Sequence, residues 1–167
     1  ETDRVRILSE IDADVGHAQL SLSIKEALLS SADQEAQSAL AHAERCKASS
    51  GTGADYPKAA AIAAANACEK AFKVASAAGA YEKARKSAAA CYELRSRVLG
   101  PEHPDTLTSM NNLAGTLGEQ GRHDEAEGMQ REVLELRSRV LGPEHPSTLI
   151  SMGNLATTLG KQGKHGE

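Results

Sequence analysis

Residues 93–128 read ELRSRVLGPEHPDTLTSMNNLAGTLGEQGRHDEAEG, and forty-two positions later, from residue 135, the chain reads ELRSRVLGPEHPSTLISMGNLATTLGKQGKHGE. A tandem repeat at this period points to a stacked helical solenoid, in which each unit buries its apolar face against its neighbours. Such an array offers an extended surface and has no inherent reactive centre. The expected fold is therefore all-α, an α-solenoid of antiparallel helix pairs.

Within one repeat the helix boundaries follow from the residues. Pro104 and Asp105 suit a first turn, because Pro has no amide to leave unpaired there and Asp complements the positive helix end. Leu107, Met110, Leu113, Ala114 and Leu117 form one apolar stripe, and Gly121 is placed for a left-handed cap, so a helix A is expected over about 104–120. Asp124 and Glu125 open a helix B over about 123–141, with Ala126, Met129, Val133, Leu136 and Val140 on its apolar face and Gly142–Pro143 stopping it. The two-residue link makes the pair an antiparallel hairpin. Residues 146–162 repeat helix A.

Upstream, Gly79, Tyr81, Ala84 and Leu94 lie one period before Gly121, His123, Ala126 and Leu136. This implies a divergent, Ala-rich copy with helices near 57–78 and 81–99, carrying Phe72 where later copies have Ala114 and Ala156. Before it, residues 33–48 have the acidic start of another helix B, with a partner over roughly 3–30. SSGTG at 49–53 is the strongest loop signal. The expected organisation is an N-terminal helical hairpin or degenerate repeat at 1–53, the divergent repeat at 54–99, a clear repeat at 100–141, and the first helix of an incomplete repeat at 142–167.

Composition narrows function. The chain has 167 residues and a net charge of −4, with three Tyr, one Phe and no Trp, so the core must be built from Ala, Leu, Val and Met. Charge is even along the chain, without the basic patch of a nucleic-acid binder. No run approaches the ~20 apolar residues of a membrane span. Three dispersed cysteines, Cys46, Cys68 and Cys91, read as small, partly buried thiols of a reducing, intracellular compartment. The start without Met and the stop inside a repeat suggest a processed or truncated polypeptide.

The stretch LGPEHPDTLTSMNNLAGTLGEQGRHDEAE resembles the forty-two-residue tetratricopeptide repeats of kinesin-light-chain-like proteins. The resemblance is specific over about 93–167 and weak over 57–92. It implies a right-handed superhelix whose A helices line a concave groove that binds peptide segments of other proteins. Small residues Ala114, Ala156 and Ala126 match positions of close helix contact. Asn112 and Asn154 match positions where such domains often hold an extended ligand main chain, and an amide that both donates and accepts suits that task. Thr108, Asn111 and Glu119 in one repeat, and Ile150, Thr157 and Lys161 in the next, fall on the same side. Gly115, Gly118, Gly153 and Gly160 join them and leave the surface shallow. The long coiled-coil segment by which kinesin light chains join a motor has no counterpart here, since no heptad pattern runs through 1–50.

Catalytic and metal signals are weak. His103 and His145 recur in the PEHP turn, and His123 and His165 after the next, but one period places them on rungs roughly 10 Å apart, which favours a turn role over a metal. GKQGKHG lacks phosphate-loop spacing. The pairs Arg95/Arg97 and Arg137/Arg139 near helix B C-termini are expected as caps, or as a stripe for an acidic partner. No catalytic, cofactor or metal residue is assigned. The leading expectation is a non-enzymatic interaction scaffold with protein partners, without nucleic acid or membrane insertion. The rival is a permanently assembled subunit of a large complex, and a third reading places the segment in a longer multidomain protein.

Overall fold

Five glycines, Gly79, Gly100, Gly121, Gly142 and Gly163, adopt positive φ, and they mark the helix ends along the chain. In the computed structural model, which describes residues 18–49 and 58–163, the elements are α1 (Ala18–Ser49), α2 (Lys58–Ala77), α3 (Tyr81–Leu99), α4 (Pro104–Glu119), α5 (His123–Leu141) and α6 (Pro146–Lys161). The described residues are all helical, with no strand, and form helix pairs of the α-solenoid class. α3 and α5 start forty-two residues apart, as do α4 and α6.

The turns explain this regularity. After α4, Gly121 at φ 78 lets its own N–H reach the Gly118 carbonyl at 3.1 Å while the Arg122 N–H reaches Leu117 at 3.0 Å. This is a Schellman closure, and it needs the left-handed conformation that glycine adopts without a Cβ penalty. The same pair of bonds follows α2, from Gly79 to Ser76 and from Ala80 to Ala75. At the other turn, His103 and His145 are the N-caps of α4 and α6. Each ring Nδ1 accepts from the backbone N–H two residues on, Asp105 at 3.2 Å and Ser147 at 3.1 Å, with Pro at the first helical position. The repeated histidines of the PEHP turn thus hold the helix starts, with the Nδ1 lone pair satisfying an otherwise orphaned donor.

One expectation differs. α1 runs without interruption through residues 30–33, where the two arms of the N-terminal hairpin were expected to meet. The linking residues Ser30, Ser31 and Ala32 contain no Gly or Pro, and Ala32 and Ala36 are buried, so the helix gains packing by continuing. The part of that expectation over residues 1–17 lies outside the described residues, as does the loop at 50–57.

The chain divides into two compact units, 1–91 and 92–167, with the division inside α3. In the first unit α1 packs along α2, and the core is almost entirely small: Ala36, Ala43, Ala61, Ala64, Ala65, Ala71, Ala75, Ala84 and Ala88 are buried together with Cys68, Cys91 and Val74. Alanine gives high helix propensity and lets helix axes approach closely. Lys70 on α2 pairs with Glu35 on α1 at 3.3 Å across this contact. The second unit, built from the end of α3 with α4, α5 and α6, has larger core residues, among them Leu94, Leu107, Met110, Leu117, Val133 and Leu155.

Burial pushes the Cys68 thiol up to about 12 from 9.0, and the neighbouring Cys91 adds to the shift. The folded state therefore keeps a proton that the unfolded chain loses above pH 9. Stability from this group is fully present below pH 9 and falls as pH rises from 9 toward 12. We predict that chemical-denaturation midpoints fall over that window and that Cys68→Ala removes a measurable part of the slope, whereas an identical slope in the variant would rule out this origin.

Candidate functional site

α5 lies between α4 and α6, and its buried side chains show what joins them. Ala126, Gln130, Val133 and Arg137 are its buried residues. They recur at i, i+4, i+7 and i+11 and form one face of the helix. The expected apolar face of Ala126, Met129, Val133, Leu136 and Val140 is rotated from this, and Val140 is 40 % exposed. A helix packed between two neighbours buries polar groups at least cost when they find partners; both Nη nitrogens of Arg137 do, while its Nε has none.

The Arg137 guanidinium enters the first turn of α6. Its Nη1 donates to the Ser147 carbonyl at 2.9 Å and to Ser151 Oγ at 2.8 Å, and Nη2 donates to Thr108 Oγ1 on α4 at 3.2 Å. Ser151 Oγ in turn donates to the Ser147 carbonyl at 3.0 Å. One repeat earlier, Arg95 Nη1 donates to Ser109 Oγ at 2.9 Å and to the Asp105 carbonyl at 3.4 Å. Both guanidinium-bearing residues are buried. Desolvation lowers the Arg137 pKa from its usual value. The planar fork of Arg suits this bridging, because its donors leave in fixed directions toward several acceptors.

This corrects the expectation for the four arginines. Arg95 and Arg137 do not cap their own helices; they fasten helix B to the start of the next helix A. Arg97 and Arg139 stay at the surface in ion pairs with Glu93 and Glu102. An acidic partner would meet those two cations already engaged.

The residues expected to form a binding face lie on α4 and α6, which touch one another. Asn154 Nδ2 donates to Asn111 Oδ1 at 3.1 Å, and Lys161 pairs with Glu119 at 2.9 Å. These are two rungs across adjacent A helices. Thr108 accepts from Arg137 and donates to the Pro104 carbonyl at 2.9 Å, and Thr157 donates to the Gly153 carbonyl at 2.9 Å. Asn112 is half-buried, with its carbonyl taken by Thr116 Oγ1 at 2.8 Å, and Ile150 is 58 % exposed. The contact thus pairs Asn154 with Asn111, whereas the repeat alignment pairs it with Asn112. Gly115 and Gly153 face open space, but Gly118 is buried, its Cβ position 3.8 Å from Ala126 Cβ and 3.9 Å from Thr158 Oγ1. Gly118 is therefore a packing residue and does not shape the surface.

α6 presents a second face. Leu107, Met110 and Ala114 of α4 are buried, but their counterparts Leu149 and Met152 are 53 % and 46 % exposed, and Ala156 is exposed. The close-contact role expected of Ala156 is fulfilled only by Ala114 and Ala126, because α4 has α5 packed on it and no helix among the described residues covers the same face of α6. Of the described residues, no group of three or more His, Cys, Asp or Glu is arranged to hold a metal, and no helix is long and apolar enough to cross a membrane.

Residues 73–105 and 106–147 each match the family model described as a tetratricopeptide repeat. The matched segments run from the end of α2 into the first turn of α6 and meet in the first turn of α4, where Arg95 docks. Repeats of this class generally mediate protein–protein interaction. No curated protein matches the chain.

The buried arginine predicts a stability contrast. Arg137→Ala should cost about 2–4 kcal/mol, combining lost charge-assisted hydrogen bonds with a cavity, and Arg137→Lys should recover only part of it. Arg139→Ala, an exposed ion-pair residue, should change stability by less than about 1 kcal/mol. Urea unfolding of the three variants would measure this, and equal effects at 137 and 139 would contradict the bridging role.

Proposed function

We propose that the chain is a non-enzymatic interaction scaffold of the kinesin-light-chain-like tetratricopeptide type, which holds a protein partner on the face shared by α4 and α6. The observation that carries this reading is the set of cross-helix rungs, Asn111–Asn154 and Glu119–Lys161, beside the exposed Ile150. Each rung fixes a polar pair without burying it, so amide and charged groups are held at set positions and still reach an incoming main chain. The apolar Ile150, one turn before Asn154, supplies contact area at the end of this strip. Thr108, Asn112 and Thr157 border the same strip. A ligand of this surface is an extended peptide segment, because amides recognise a main chain irrespective of its side chains.

The rival reading, a permanent subunit of a large complex, is favoured by a different observation. Leu149, Met152 and Ala156 together form an apolar strip on α6 whose equivalent on α4 is fully covered. If this reading holds, Leu149→Asp with Met152→Asp should leave the isolated chain folded but exclude it from a large native particle. Incorporation of the double variant at the normal stoichiometry would reject it.

The scaffold reading is tested by selecting peptide ligands from a displayed random library against the whole chain and titrating the selected peptides against Asn112→Leu/Asn154→Leu. Affinity should fall at least about tenfold with helicity unchanged, consistent with loss of one or two main-chain hydrogen bonds. Equal affinity in the double variant would remove the face from consideration.

A further inference from the structure

On α1 one side-chain pair is unlike any other described in the chain. His42 Nε2 and Cys46 Sγ lie 3.5 Å apart, one helical turn from each other, on the exposed side of the helix. His42 is exposed and Cys46 half-buried, whereas Cys68 and Cys91 are buried. Ala43, one residue after His42 and three before Cys46, is fully buried, so the pair sits on the flank of the packed face, with His42 further toward solvent than Cys46.

We propose that His42 and Cys46 form a bidentate surface site for a tetrahedral divalent ion of the zinc type. The bite of the pair is the argument. With Zn–N of about 2.0–2.1 Å and Zn–S of about 2.3 Å, a tetrahedral angle separates the two donor atoms by about 3.5–3.6 Å. The two atoms already stand at that separation, so a reorientation of the ring and thiol that keeps their distance admits the ion. The i, i+4 spacing is the one by which a single helix presents two ligands to one metal.

The protonation chemistry is consistent with this. When the thiol donates to Nε2, that nitrogen carries no proton and its lone pair points at the sulfur; the ring is then the Nδ1–H tautomer. On binding, the ion replaces the thiol proton: the S–H bond breaks, the proton leaves to solvent, sulfur binds as thiolate, and Nε2 binds through its lone pair. One imidazole and one thiolate select borderline to soft ions over magnesium or calcium. Water completes the coordination, as the donors lie at the surface. The capping histidines are different, since Nδ1 of His103 and of His145 each accepts from a backbone N–H and the two stand on successive repeats.

The test uses Co²⁺ as a spectroscopic stand-in for Zn²⁺, titrated into the full chain under a reductant that contains no thiol. A sulfur-to-cobalt charge-transfer band should grow to saturation at one cobalt per chain and vanish when Zn²⁺ is added. Cys46→Ser should abolish the band, and His42→Ala should weaken cobalt binding at least about tenfold. Both substitutions are at solvent-accessible positions, and circular dichroism of each variant checks that the helices are intact. Absence of a band in the native chain, its survival in Cys46→Ser, or unchanged affinity in His42→Ala would each overturn the proposal. The last outcome would mean that a lone thiol binds the ion.

Discussion

The second unit depends on a guanidinium taken out of water. Arg137 is 4 % exposed, and its hydrogen bonds reach a main-chain carbonyl and a hydroxyl on α6 and a hydroxyl on α4. Burying a charge is costly, and with Nε already unpartnered the bonds of the two Nη nitrogens carry the compensation, so the arrangement tolerates little displacement of the helices it joins. Apolar packing between helices permits small sliding; a fork of hydrogen bonds to three groups does not. The Arg95 contact to Asp105 and Ser109 repeats the device at the start of α4. The spacing of successive helix A starts is thereby tied to a buried polar contact.

The first unit is built differently. One period before Arg95 and Ser109 the sequence has Gly53 and Ala67, so the corresponding donor and acceptor are both missing. Its helices meet through alanine, with Ala43, Ala64 and Ala84 fully buried. Alanine contributes little area per residue, and what holds such a contact is the close approach of α1 and α2. A larger residue at these positions would force the helices apart. The division of the chain inside α3 coincides with this change of core, from alanine and cysteine before Tyr92 to leucine, methionine and valine after it.

Much of the helical framework was legible in the residues. The glycines at positive φ and the prolines at the helix starts carry backbone constraints of their own, so the ends of α2 to α6 fall within a residue of the positions expected from them. The missed break near residue 31 has the opposite cause: the acidic residues from Asp33 suggested a new helix start, but nothing in Ser30–Ala32 forbids a continuous helix. The residues of the proposed binding face lie on α4 and α6, where Asn154 meets Asn111 and not the Asn112 that the alignment places in register. Adjacent helices are offset by their packing, and a one-residue offset changes which side chains touch. The buried Arg137 was missed although its signal was present: Ala126, Gln130, Val133 and Arg137 form an unbroken helical stripe, and the two polar members disguised it.

The sequence by itself determined the helices, their caps and their repeat, because capping histidines, N-terminal prolines and left-handed glycines act on the backbone within a few residues. Which surfaces are covered was decided only by tertiary structure. Leu107 and Leu149 occupy the same place in nearly the same local sequence, yet one is fully buried and the other is 53 % exposed. The difference is the presence of α5 against one and of no described helix against the other, and burial is a property of neighbours that no local pattern contains.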